Sequence, residues 1–262
     1  MKKATLLILF VLFFPIFSPA ASEPSGEELF FRANQAFREA RYSEAVEAYQ
    51  RLIEQGHASG HLYYNLANAC FKMNRLGPAV LNYERARFFM PRDADLSFNL
   101  SYAQDRLTDA VAPPGQAVFP VFFRLNSVSL AELFRVFIVF HVMVFAVLLL
   151  RLRVRSELTY YLLSASLFLW FGSGVSLGLK YVETLSDDRG VVVAKQADVL
   201  AGPQEGDTVL FRLHEGTTVS QERFEPDWRL ISLPDGKRGW IRHADVESIM
   251  DRRLRSKVVP FS

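Results

Sequence analysis

Residues 31–54 read FRANQAFREARYSEAVEAYQRLIE, and residues 64–87 read YNLANACFKMNRLGPAVLNYERAR. Ala33, Asn34, Phe37, Ala45 and Tyr49 of the first stretch recur 34 residues later as Ala67, Asn68, Phe71, Ala79 and Tyr83. Each stretch holds two runs in which apolar residues return with the period of a helix. A polar break separates the runs, at Arg41 in the first and at Asn74-Arg75 in the second. The alanines at matched positions let paired helices approach closely, while Tyr49, Tyr83 and Leu66 fill the gaps. A further helix is expected after Pro91, over ADLSFNLSYAQDRLTDA, with no partner helix of its own. It reads as a cap, because a helical stack must cover its last apolar face.

A period of 34 with two helices per unit resembles the tetratricopeptide repeat. Pro91 stands where that family has a proline, and His57 replaces the proline in the first unit. Residues 23–109 are thus expected to form two repeats plus a capping helix. That is fewer than the usual minimum of about three units, so the module should lean on the membrane or a partner. In the family, the first helix of each repeat lines a concave groove that binds extended peptides. The resemblance implies peptide-binding roles for Asn34, Arg38, Tyr64, Asn68, Lys72, Asn99 and Tyr102, with Phe30, Phe37, Asn65, Phe71 and Phe98 beside them. Asparagine can both donate to and accept from a peptide backbone, and Arg38 and Lys72 can hold an acidic group. Asparagine and tyrosine serve packing at these places as well, and the sequence leaves both uses open.

Net charge is only +2, which gives no global sign of nucleic-acid binding, while half of the chain is hydrophobic. Residues 23–112 carry 10 basic and 12 acidic side chains, and residues 182–250 carry 8 and 13. The positive excess lies at Lys2 and Lys3, around residues 124–180, and in a basic tail over 251–262. Cations that flank apolar segments make a membrane pattern. Residues 1–22 read as an export signal, with Lys2-Lys3, an apolar run over 6–14, and small residues that permit cleavage after Ala20 or Ser22. Residues 110–129 form a linker, in which FPVFFRL looks like an interfacial anchor. Two apolar runs, 130–152 and 158–181, have the length of about twenty residues that a spanning helix needs. The loop between them, 153–157, with Arg151, Arg153 and Arg155 in and beside it, is expected to stay cytoplasmic. Both folded modules then face the periplasm from a bacterial inner membrane. Within the hairpin, His141 is expected to hydrogen-bond Ser164, Ser166 or Ser173. Gly174 and Gly178 offer close helix contact, either inside the hairpin or with another protein.

From residue 188 to 250 the pattern changes to five or six short strands with turn signals at Gly202-Pro203, Gly216 and Asp235-Gly236. With Trp228 and Gly239-Trp240-Ile241, these residues resemble the bacterial SH3 family, a small all-β barrel. Trp240 is read as core, and Trp228 is left open between core and a ligand face. Cys70, the single cysteine, excludes an internal disulfide and reads as a packing residue. No nucleophile, metal-ligand or phosphate-loop pattern is present, so no enzyme activity, metal or cofactor is expected.

The order of parts is multidomain: helical repeats, a two-helix transmembrane hairpin and a small SH3-like barrel. It resembles the BatE proteins of Bacteroides-aerotolerance-type operons. That resemblance implies a non-enzymatic periplasm-facing scaffold beside membrane-anchored von Willebrand factor A-domain proteins and a MoxR-type ATPase. A cell-envelope protein that holds peptidoglycan through the barrel is the alternative.

Overall fold

The computed structural model describes residues 25–109 and 127–258. The export signal and the body of the linker with its FPVFFRL stretch lie outside them. The described residues contain a helical region, two long apolar helices, and a seven-stranded antiparallel β domain followed by a short helix.

The helical region runs α1 (Gly26–Arg38), α2 (Tyr42–Glu54), α3 (Gly60–Lys72), α4 (Leu76–Phe89) and α5 (Ala94–Gln104). Side chains of Ser25, Ser59 and Asp93 cap α1, α3 and α5 at their N-termini by accepting from backbone N–H groups. Ala40 and Asn74, again 34 apart, adopt left-handed φ values of 59° and 55° and end α1 and α3. The repeated alanines are buried between helices as expected, with Ala45, Ala67 and Ala79 at 0% exposure. Cys70 is buried among them, and that burial pushes its thiol up to about 11.

The long helices are α6 (Leu130–Arg153) and α7 (Glu157–Leu185), packed along each other. Both are long and apolar enough to cross a membrane, with almost all of their apolar surface turned outward. Ser129 with Glu132 and Ser156 with Thr159 form capping boxes at their starts. The turn between them is shorter than expected, Val154 to Ser156, and α7 runs one turn beyond the apolar segment.

The strands are β1 (Arg189–Val192), β2 (Gln196–Leu200), β3 (Val209–His214), β4 (Thr218–Phe224), β5 (Trp228–Ser232), β6 (Arg238–Arg242) and β7 (Val246–Ser248). They form one sheet in the order β3-β2-β6-β5-β4-β1-β7. Alternate residues such as Val199, Val219, Ile231 and Ile241 make its core. Leu200, Trp228 and Trp240 form a separate small cluster with Leu230.

The segment read as a basic tail is not a free tail. Residues Arg252–Val258 form α8, whose Leu254 is fully buried. Leu254, Val258, Ile249, Met250 and Val191 belong to the same apolar cluster as the core of the helical region. The helical region therefore does lean on something, but that something is the chain's own C-terminal domain.

Candidate functional site

Two surfaces compete for the site: the exposed face made by α1, α3 and α5, and the face of α4 that meets the β domain. The first is built by the 34-residue period. Positions i, i+4 and i+8 of a helix share one face, and these rows repeat as Phe30-Asn34-Arg38, Tyr64-Asn68-Lys72 and Phe98-Tyr102-Arg106. Each ends on an exposed cation. Arg106 was missed in the sequence reading because it lies beyond the last residue of α5; its spacing of 34 from Lys72 would have found it. Its guanidinium lies 4.4 Å from the Tyr102 ring centre and 5.2 Å from that of Phe71. Phe98 stacks on Tyr102 at 6.2 Å, and Phe31, Phe98 and Tyr102 are all exposed.

The asparagines have a more constrained position than their candidate role suggests. The Asn34 side-chain oxygen accepts from the Tyr49 hydroxyl at 2.7 Å and from Asn65 Nδ2 at 3.0 Å. One unit later, Asn68 accepts from Tyr83 at 2.6 Å and from Asn99 Nδ2 at 3.2 Å. Asn99 Nδ2 also donates to the Tyr64 hydroxyl at 2.8 Å. The carbonyl ends of Asn34 and Asn68 and the amide of Asn99 thus tie neighbouring helices together. Burial is the main reason the Tyr49 hydroxyl is pushed up to about 12, which keeps it a donor. Of the candidates, Arg38, Lys72 and Tyr102 are exposed, Tyr64 is half-buried, and the three asparagines carry packing bonds.

The second surface is buried. Helix α4 is enclosed from Ala79 to Ala86 without a break, including Asn82, Glu84 and Arg85. Arg85 donates to the Ser248 and Ile249 carbonyls at 2.9 and 3.2 Å, and to Glu247 and Asp251 at 2.9 and 3.1 Å. Glu84 bridges Arg87 at 2.6 Å and Arg189 of β1 at 3.3 Å. Burial works against the Arg189 charge, but Asp187 and Glu84 outweigh it and hold its pKa above the usual value. At the N-terminus of α4, Gly77 N–H donates to Glu215 at 3.0 Å. A Cβ on Gly77 would stand 2.7 Å from the Val192 carbonyl oxygen, so only glycine permits this approach. Nearby, Asp109 accepts from His214 N–H at 2.6 Å and from the Thr217 hydroxyl at 2.7 Å, and faces His214 Nδ1 at 2.9 Å. Burial raises the Asp109 carboxyl, but these hydrogen bonds outweigh it and leave its pKa lowered. None of these interdomain partners was foreseen.

In the hairpin, Ser164, Ser166 and Ser173 spend their hydroxyls on carbonyls of their own helix. The expected bond from His141 is replaced by rings: Phe145, Phe137 and Trp170 lie 5.0, 6.0 and 6.2 Å away. Gly174 faces Phe137, whereas Gly172 and Gly178 face open space, so the two glycines do not share one contact. In the β domain, Trp228 and Trp240 are both 9% exposed, and Arg242 lies over the Trp228 ring at 5.9 Å. Among the described residues no group of three or more acidic, His or Cys side chains is placed to hold a metal.

No protein-family model matches the chain, and no curated protein does either.

Proposed function

We propose that this chain is a non-enzymatic membrane scaffold, in which a tetratricopeptide-type groove captures an extended, acidic segment of a partner protein. The observation that carries this reading is the row of exposed cations Arg38, Lys72 and Arg106, one per unit, beside the exposed rings of Phe98 and Tyr102. A regular row of positive charge suits an extended peptide whose acidic groups recur along its length, and the rings supply apolar contact. The face behind it is already occupied by the SH3-like domain, which leaves the groove as the recognition surface. The hairpin anchors the body at an inner membrane, with both termini on the periplasmic side, where membrane-anchored von Willebrand factor A-domain proteins are the proposed partners. Burial of Trp228 at 9% exposure weighs against the peptidoglycan alternative.

The test uses the full chain, purified from membranes in mild detergent. Changing Arg38→Glu with Lys72→Glu should remove co-purifying membrane partners and leave the melting temperature unchanged, because both side chains are exposed. Trp228→Phe should keep those partners. Retention of every partner by the groove variant, with loss in the Trp228 variant or with sedimentation on peptidoglycan, would replace this reading with the alternative.

A further inference from the structure

The basic residues at the C-terminus have a position that the groove does not explain. Leu254 and Val258, one turn apart, seat α8 in the common core, which leaves Arg252, Arg253 and Lys257 exposed. These three are in no ion pair among the described residues. Four carboxylates of the neighbouring segments are already engaged: Asp251 and Glu247 with Arg85, Glu183 with Lys180, and Asp187 with Arg189. The cluster therefore presents exposed positive charge.

Its height relative to the hairpin follows from one contact. Arg255 Nη2 donates to the carbonyl of Leu185, the last residue of α7, at 3.3 Å. The apolar run of α7 ends at Tyr181, so Leu185 lies about 6 Å further along the axis at 1.5 Å per residue. The headgroup layer on each side of a bilayer is about 5–8 Å deep. Helix α8 therefore sits at the level of the phosphates. At the start of the other helix, exposed Arg92 bonds Glu132 in the first turn of α6, so the folded body is held against both helices at this end of the hairpin.

We propose that Arg252, Arg253 and Lys257 form a headgroup clasp for anionic phospholipids of the bilayer the hairpin spans. Arginine and lysine donors meet phosphate oxygens here, and the apolar side of α8 fixes their height without entering the lipid. With Arg151, Arg153 and Arg155 at the opposite tip, the hairpin is cationic at both ends, and the clasp fixes the groove's orientation relative to the membrane. This inference rests on the membrane-spanning reading of α6 and α7.

The experiment compares phosphatidylglycerol with phosphatidylcholine binding to the detergent-solubilised full chain by native mass spectrometry. A basic residue beside an anionic surface contributes about fivefold. Wild type should prefer phosphatidylglycerol by at least about tenfold, and the preference should fall with added salt as charges are screened. Arg252→Glu, Arg253→Glu and Lys257→Glu together should lower the ratio at least about fivefold below the wild-type value. Should that variant fold poorly, the corresponding glutamine variant should lose most of the preference. Lys195→Glu, an exposed cation in the β1–β2 turn, should change nothing. The tip arginines are common to all these proteins and cancel in the comparison. Equal preference in wild type and variants, with both retained in carbonate-washed vesicles, overturns the clasp and leaves the spanning hairpin intact. Release of the wild type by carbonate overturns the spanning reading and the clasp with it.

Discussion

Arg51 and Arg85 occupy the same position of the repeat, 34 residues apart on α2 and α4, and have opposite surroundings. Arg51 makes one bond, to Glu47 at 2.7 Å, with both side chains more than 60% exposed. Arg85 is 8% exposed in its side chain and donates to two carbonyls and two carboxylates of the C-terminal segment. The same contrast holds along the helices: exposed Ser43 and Glu47 match buried Gly77 and Leu81. Positions that hold a unit together are repeated, whereas docking of the β domain uses one repeated residue, Arg85, together with Gly77 and Leu81, where the second unit departs from the first. A helix buried on all sides needs no single apolar stripe, which is why α4 tolerates Glu84 and Arg85 in its interior once each has partners.

The sharpest way to break this comparison is to truncate both arginines. Arg85→Ala strands the Ser248 and Ile249 carbonyls, while Glu247 and Asp251 are open enough to regain water. A loss of about 3 kcal/mol is expected in denaturant unfolding of the full chain. Arg51→Ala removes only a surface pair and should stay within about 0.5 kcal/mol. Equal effects would mean that the docking of α4 contributes nothing.

Gly77→Ala should follow in size. Its Cβ would press on the Val192 carbonyl and on Val193 Cα, 3.0 Å away, and overpacking of this kind costs about 1–3 kcal/mol. Ser43→Ala, at the matching exposed site, should be neutral in the same melt.

Asp109 gives the smallest and most selective effect. Its folded pKa is lowered, so its contribution is fully present above the unfolded value near 4. It is lost as pH falls through the folded value. Asp109→Asn should therefore lower stability at neutral pH and flatten the acid limb below about pH 4. An unchanged acid limb would remove Asp109 from the docking surface.

Much of this organisation was legible in the sequence, because repeats and hydropathy are local signals. Ala33 and Ala67, Tyr49 and Tyr83, and the apolar runs announce helix pairs and long apolar helices within a few residues of where they lie. The strands could be expected from Gly216 and Asp235-Gly236, which take the left-handed φ values of 88° and 86° at glycine. The docking was not legible, since Arg85 meets Ser248 across 163 residues and nothing in either stretch names the other. A basic tail reads as solvated because its charges are visible, whereas the anchoring role of Leu254 and Val258 depends on a core formed elsewhere. The asparagines illustrate a related difficulty. Asn68 suits a peptide and suits Tyr83 equally well, and only the 2.6 Å bond to the Tyr83 hydroxyl decides which part of it is engaged.

Whether the two regions are one body can be read from the thermal unfolding of the full chain in a Trp170→Phe background. The three tryptophans are Trp170 in the hairpin and Trp228 and Trp240 in the β domain, so fluorescence then reports the β domain alone. Loss of circular dichroism at 222 nm reports the helical region, with α6 and α7 remaining helical in detergent. A docked body should give one coincident transition by both probes, and Arg85→Ala should lower both midpoints together. Two separate transitions, with Arg85→Ala moving only the helical one, would show that α4 and the β domain fold without each other.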